Sequence, residues 1–253
     1  MATTFLDPGG DATFNVASMT ANGLWQSVAS TTVVTDFVHG GHLKSLKPAV
    51  NTANAGMRTP DSVLADSGTR ISFFFYINTA PSATSPILDI QTAGGGSVCF
   101  KLGLSSGRVL RLFSGTGAGG NTQIGSDGPT LATAQWYRLS LFYSLATTSA
   151  NAISVFVDSA PAISVANATI NSVSSSAAFF GYDAKNGNLD SRYSDIFIDQ
   201  QSGAIGDTGP VWVTAKRPNA NGTTNGFTTQ IGSGGSGYGT GHSPQVNERA
   251  VSQ

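Results

Sequence analysis

Charge is what this chain has least of. Lys, Arg, Asp and Glu make up 11% of its 253 residues, well under the roughly 25% usual for soluble globular chains. The net charge is −1. There is no basic surplus to recruit nucleic acid and no acidic run. Cysteine is nearly absent too. Cys99 is the single one, so no intrachain disulfide can form. In S-V-C-F-K-L it reads as a small apolar core residue and not as a nucleophile. No run of about 18 apolar residues exists, which excludes a membrane-spanning helix. The start, M-A-T-T-F-L-D-P-G-G, lacks a basic segment followed by an apolar one, so no secretory signal is expected.

Glutamate is the most telling shortage. Glu248 is the only one. Sandwich-fold glycan hydrolases work with paired carboxylates, one proton donor and one nucleophile or base. The nearest pair here is Asp195 and Asp199 in D-I-F-I-D. On a strand that spacing puts both on one face, about 13 Å apart, too far for either hydrolytic geometry. They are expected to be solvent-facing strand residues or loop contacts. The chain therefore reads as a non-enzyme.

What is present is turn chemistry and alternation. There are 31 glycines, with abundant Ser, Thr, Asn and Ala. Between Gln135 and Ser164, Tyr137, Leu139, Leu141 and Tyr143 alternate with polar or smaller neighbours, and so do Ile153, Val155 and Val157. A period of two means strands with one buried face. The loops A-T-T-S-A and Asp158-Ser159-Ala160-Pro161 make this a three-stranded meander. Arg70 to Asn78 is apolar on both faces, as a central or covered strand is. Further strands are expected at 31–38, at L-K-S-L, at A-G-M-R-T on an edge, at 85–90, 97–104, 108–113, 176–182, 192–199 and 211–215. Ser105-Ser106-Gly107 reads as a hairpin loop with Gly107 at positive φ. No amphipathic helix is apparent, and regular turn spacing points to a β-sandwich. The domains are 1–217, the sandwich, and 218–253, an extended Gly-rich C-terminal arm that cannot bury a core of its own.

Candidate sites are few. Asp183, Asn186, Asn188 and Asp190, around Gly187, form either an Asx-rich turn or an oxygen-lined loop for calcium or a glycan. No other cofactor is suggested. His39 and His42 flank two glycines and read as a turn without metal. Gly115–Gly120 lacks the Lys-Ser/Thr ending of a phosphate loop. Trp25, Trp136 and Trp212 could stack on sugars if exposed, and Trp136 and Trp212, in strands, read as structural.

Q-W-Y-R-L-S-L…I-S-V-F-V-D-S, then F-F-G-Y and Y-S-D-I-F-I-D, resembles the concanavalin A-like, laminin-G-type jelly roll, with Asp158-Ser159 where that family has Asp-Gly. Residues 193–248 resemble the C-terminal stretch of tailed-phage virion proteins. Ile205-Gly206-Asp207, Val211, Val213, Pro218, Asn219, Gly222, Phe227-Thr228, Val246 and Glu248 carry that resemblance. It implies a non-enzymatic virion structural protein on the head or tail surface of a phage particle, a decoration or adhesin-like component. An assembly arm with Pro218, Phe227, Tyr238, Val246 and Glu248 would dock on a major capsid or tail protein or on a sister subunit in a homo-oligomer. The alternative is a lectin-like module that binds host or environmental glycans. Neither nucleic acid nor membrane is an expected partner.

Overall fold

The computed structural model describes residues 2–7, 19–20, 25–40, 44–116, 120–147, 149–182 and 187–200. Among them are fifteen strands and a turn of 3-10 helix, Ala93–Gly95, with Met19 and Thr20 helical as well. The described residues fold as an all-β jelly-roll sandwich of two antiparallel sheets. The C-terminal arm, with Pro218, Phe227, Tyr238, Val246 and Glu248, lies outside the described residues, as do the domain boundary and the 211–215 strand.

One sheet, sheet A, contains β1 (Ala2–Asp7), β3 (Thr31–Val34), β4 (Ser45–Pro48), β6 (Thr69–Thr79), β11 (Trp136–Ser144), β12 (Asn151–Val157), β13 (Ala160–Ala168) and β15 (Asp190–Gln200). Its order is β13-β12-β11-β6-β15-β4-β3, with β1 also on β15. Sheet B runs β10 (Gly120–Ile124), β9 (Leu110–Thr116), β8 (Val98–Leu104), β7 (Ser85–Gln91), β14 (Ala177–Tyr182), β5 (Ala55–Arg58), β2 (Ser27–Ala29). The meander is present as β11, β12 and β13, and β6, apolar on both faces, is central between β11 and β15.

Alternation decides which side chains meet between the sheets. From sheet A come Ile71, Phe73, Phe75, Leu139, Leu141, Tyr193 and Ile198; from sheet B come Leu88, Ile90, Phe100, Leu102, Leu112 and Phe180. Phe73 and Tyr193 lie 5.3 and 6.2 Å from the Phe180 ring across the gap. The Tyr193 hydroxyl donates to the Ile87 carbonyl at 2.8 Å, which satisfies its buried polar end. Trp25 is buried in the same cluster, edge-on to Phe180, so it offers no sugar platform. Cys99 is fully buried at a β7–β8 bulge and takes the core position that Val98 would otherwise fill.

Three local expectations are corrected. The A-G-M-R strand is not an edge; β5 pairs with β14 on one side and β2 on the other. In the β8–β9 hairpin, positive φ falls on Arg108 (64°) and not on Gly107. Ser105 accepts a bond from the Arg108 amide, which closes the turn one residue earlier and leaves Arg108 to untwist the chain into β9. Pro161 belongs to β13, at a bulge, because Asp158 and Ser159 alone make the turn with φ of 49° and 72°. Asp158 also accepts a bond from the Arg138 amide at 2.8 Å, and Ser159 takes the positive φ at the position where the Asp-Gly turn has glycine.

Candidate functional site

The outward face of sheet A is where the polar and aromatic groups gather. Register lays them out in rows. Trp136 pairs with Tyr76, and Tyr76 with Arg192; Arg138 pairs with Phe74, and Phe74 with Ser194. The segment after β3, residues 35–39, lies across these rows as a strap. Phe37 stacks on Tyr76 with ring centroids 4.9 Å apart. His39 stacks on Phe74 at 3.6 Å and meets Trp136 edge-on at 5.4 Å.

Two polar links pin the strap to β15. Arg192 reaches Asp36 with both Nε (3.2 Å) and Nη2 (2.7 Å), a two-pronged pair. Arg192 also bonds Asp190 through Nη1 and sits 5.6 Å from the Phe37 ring. The second link is His39 Nδ1 to Asp195 Oδ2 at 3.1 Å. Ser194 donates its hydroxyl to the same carboxylate oxygen at 3.1 Å.

Asp195 owes its place to a β-bulge. β15 slips register against β6 between Ser194 and Phe197, and Asp195 has φ 49°. The extra residue turns the Asp195 carboxylate toward the strap and returns Ile196 and Ile198 to the core. It marks where β15 changes its outer neighbour, pairing with β4 at Tyr193 and with β1 from Ile196 on. Of the two expectations for Asp195 and Asp199, solvent-facing residues or loop contacts, the first is corrected, since each is only 2% exposed, and Asp195 meets His39 of the 35–39 loop.

The electrostatics follow from these contacts. The Arg192 hydrogen bond is the main cause that holds the Asp36 carboxyl below its usual range, against a smaller upward push from burial. Burial pushes Asp190 up, but hydrogen bonds from Asn78 and Arg192 and the charges of Arg192 and Lys47 outweigh it, so its carboxyl too sits low. Asp190 Oδ2 accepts from Asn78 at 2.8 Å, and Oδ1 faces Arg192 and, at 3.4 Å, Lys47. Of the loop proposed for calcium or a glycan, Asp183 and Asn186 lie outside the described residues. Asn188 is exposed in a turn at φ 67°, and Asp190 is drawn into this cationic cluster. His42 and Trp212 also lie outside the described residues. Trp136 is half-buried at the rim of the strap.

Phe37 is the residue that sequence reasoning missed. It stands at φ 49° and 44% exposed, among the few large apolar side chains left in water in the described residues. Its one sequence signal was a bulky aromatic placed where a β-branched run breaks into D-F-V-H-G-G-H.

A sequence model of this architecture matches residues 51–200. The chain belongs to the concanavalin A-like lectin/glucanases superfamily. This superfamily chain shares its fold with the endo-β-1,4-glucuronan lyase of Trichoderma reesei: TM-score 0.55 at 13% identity, over 79% of this chain and 96% of the lyase. It is similarly like the alginate lyase of Aplysia kurodai, at TM-score 0.54 and 11% identity, over 79% of this chain and 100% of that one. The Trypanosoma rangeli sialidase aligns at TM-score 0.46 and 19% identity over 66% of this chain, which spans 26% of the sialidase. At these identities the likeness is one of fold. No curated protein matches the chain.

The expectation of a non-enzymatic virion structural protein is overturned by these findings. The family is one of lectins and glucanases, and solved structures of the same fold and extent are polysaccharide lyases. The head or tail role is withdrawn, and exclusion of catalysis on glutamate count does not stand. That count bears on hydrolysis by paired carboxylates alone.

Proposed function

We propose that this domain recognises a polysaccharide on the outward face of sheet A, at the strap of residues 35–39. The observation that supports it most is Phe37. A bulky residue at positive φ is strained, and an aromatic ring left in water forgoes burial. Both costs fall on one side chain, which stacks on Tyr76, has Arg192 over its ring and stays 44% exposed. A flat apolar face ringed by hydrogen-bonding groups is what a pyranose ring stacks on. Asn78, Lys47 and Asp190 supply those groups on the neighbouring strands. Uronate polymers and neutral glycans are both to be tried, because Asp and Arg/Lys side chains are mixed on this face.

Affinity electrophoresis and titration calorimetry against polyuronates and neutral polysaccharides test the reading. Phe37→Ala should weaken binding by about tenfold or more with little change in Tm. No binding to any glycan by the wild-type chain, or full binding by Phe37→Ala, would overturn it.

The His39–Asp195 pair favours a second step at the same place. A buried carboxylate on one ring nitrogen orients the imidazole, the arrangement of an acid/base group. A uronate polymer can be cut without paired carboxylates. The base takes the proton at C5, the C4–O bond breaks to leave a C4=C5 double bond, and the departing oxygen takes up a proton. Unsaturated product, read by ultraviolet absorbance, would appear with wild type and fall at least about 100-fold in Asp195→Asn, with glycan binding retained. Binding without product would leave recognition alone.

A further inference from the structure

Trp136 stands at the open end of the row that Phe37 covers. It is the first residue of β11, and register sets Arg192, Tyr76 and Trp136 side by side on the outward face of sheet A. β12 pairs with β11 only from Leu139 on, so among the described residues no strand flanks Trp136 on its far side. The indole therefore stays half-buried, while Tyr76 beside it is 5% exposed. The Tyr76 ring meets both Phe37, at 4.9 Å, and Trp136, at 5.3 Å. Two polar groups of this row have no hydrogen bond among the described residues, the Tyr76 hydroxyl and Trp136 Nε1, and neither is sealed from solvent. Largely buried Tyr and Trp usually pair their O–H and N–H. Tyr137 does so by accepting from the Ala132 amide, and Tyr182 and Tyr193 by donating to the Leu189 and Ile87 carbonyls. Tyr143 is the other exception, sealed in the core where no ligand reaches. The charges at the opposite end of the row are already matched, with Arg192 and Lys47 facing Asp36 and Asp190. Beside Phe37 the row thus offers a ring and two free hydrogen-bonding groups.

We propose that Trp136 is the platform of a second sugar subsite, so that the protein holds two consecutive pyranoses of a chain laid across β6 and β11. One sugar rests on Phe37 and the next on Trp136. Trp136 Nε1 donates to an oxygen of the second sugar, and the Tyr76 hydroxyl, which can donate or accept, serves a sugar hydroxyl where the two meet. Both platforms touch the same tyrosine ring, which puts them within reach of two linked sugars. An aromatic face with a polar edge suits a pyranose, which is apolar on its faces and hydroxylated around its rim. The inference rests on the glycan reading at Phe37 and adds to it a requirement for chain length.

Titration calorimetry of the full chain with cello-oligosaccharides and oligoglucuronates, from methyl monosaccharide to hexasaccharide, tests it. In the series that binds, the wild-type chain should hold the disaccharide about tenfold more tightly than the monosaccharide. In Trp136→Ala that gain should vanish, and Trp136→Phe, which keeps a ring and drops the N–H, should recover part of it. A measurement on wild type removes any dependence on how the variants fold. Oxidation of Trp136 by N-bromosuccinimide, located by peptide mass, should be slowed by saturating disaccharide. Equal affinity for mono- and disaccharide in wild type, a gain that survives in Trp136→Ala, or oxidation of Trp136 at the same rate with and without disaccharide overturns the second subsite and leaves the Phe37 reading standing. No binding in either series overturns the second subsite as well, and the Phe37 reading is then decided separately by the polysaccharide panel.

Discussion

Phe37 and Asp195 are both held at φ 49°, a backbone region that costs a non-glycine residue roughly 1–2 kcal/mol. They belong to the strap and to the bulge that faces it, and are two of the eleven non-glycine residues at positive φ among the described residues. Glycine matters elsewhere for a different reason. Gly181 pairs directly with Gly56, and a Cβ on Gly181 would stand 2.2 Å from the Ala55 carbonyl oxygen. Backbone cannot yield as a flexible side chain can. Gly181→Ala should therefore cost more than about 3 kcal/mol, lowering Tm by 6 °C or more, whereas Gly94→Ala, with open space around it, should cost only about 1 kcal/mol. Equal losses in a thermal scan would refute the contrast. For Cys99, burial pushes the thiol pKa up to about 11. A thiol reagent at mildly alkaline pH should leave the native protein unlabelled and react fully once denaturant is added.

The strap is an element without regular structure, and beside its ring contacts the Asp36–Arg192 ion pair ties it to sheet A. Asp36 and Asp190 both have folded pKa values below the ordinary carboxylate value. Their stabilising contribution is thus complete above about pH 4 and is lost as pH falls through the depressed values. The Tm difference between wild type and Asp190→Asn should be largest near neutrality and vanish in strong acid. A difference constant from neutral pH to about pH 2 would show that the pair does not titrate with folding. Among the strands, alternation made the meander and β6 legible in advance. The bulge at Asp195 was not, because R-Y-S-D-I-F-I-D alternates acceptably in either phase until Ile196 and Ile198 compete with Asp195 for the core.

At the scale of the molecule, sheet A depends on a strand that comes late in the described chain. β15 pairs with β6, β4 and β1, all more than a hundred residues earlier. Such pairing closes long loops before any contact rewards it, so folding should be slow, on the order of milliseconds to seconds or longer. A chain ending at Leu189 loses β15 and should not fold, as its circular dichroism and exposure of apolar dye sites would show. Truncation that left a cooperative thermal transition would contradict the central place given to β15.

The sequence by itself determined the fold class, the meander, the burial of Cys99 and the presence of a superfamily sandwich. Each of these depends on the period of apolar residues or on turn residues, which act over a few positions. Tertiary structure alone decided the site. His39 and Asp195 are 156 positions apart, and Phe37 meets Tyr76 and Arg192 from three separate elements. No local pattern encodes such a meeting, because side chains on one sheet face are brought together by strand order and by a bulge that shifts register.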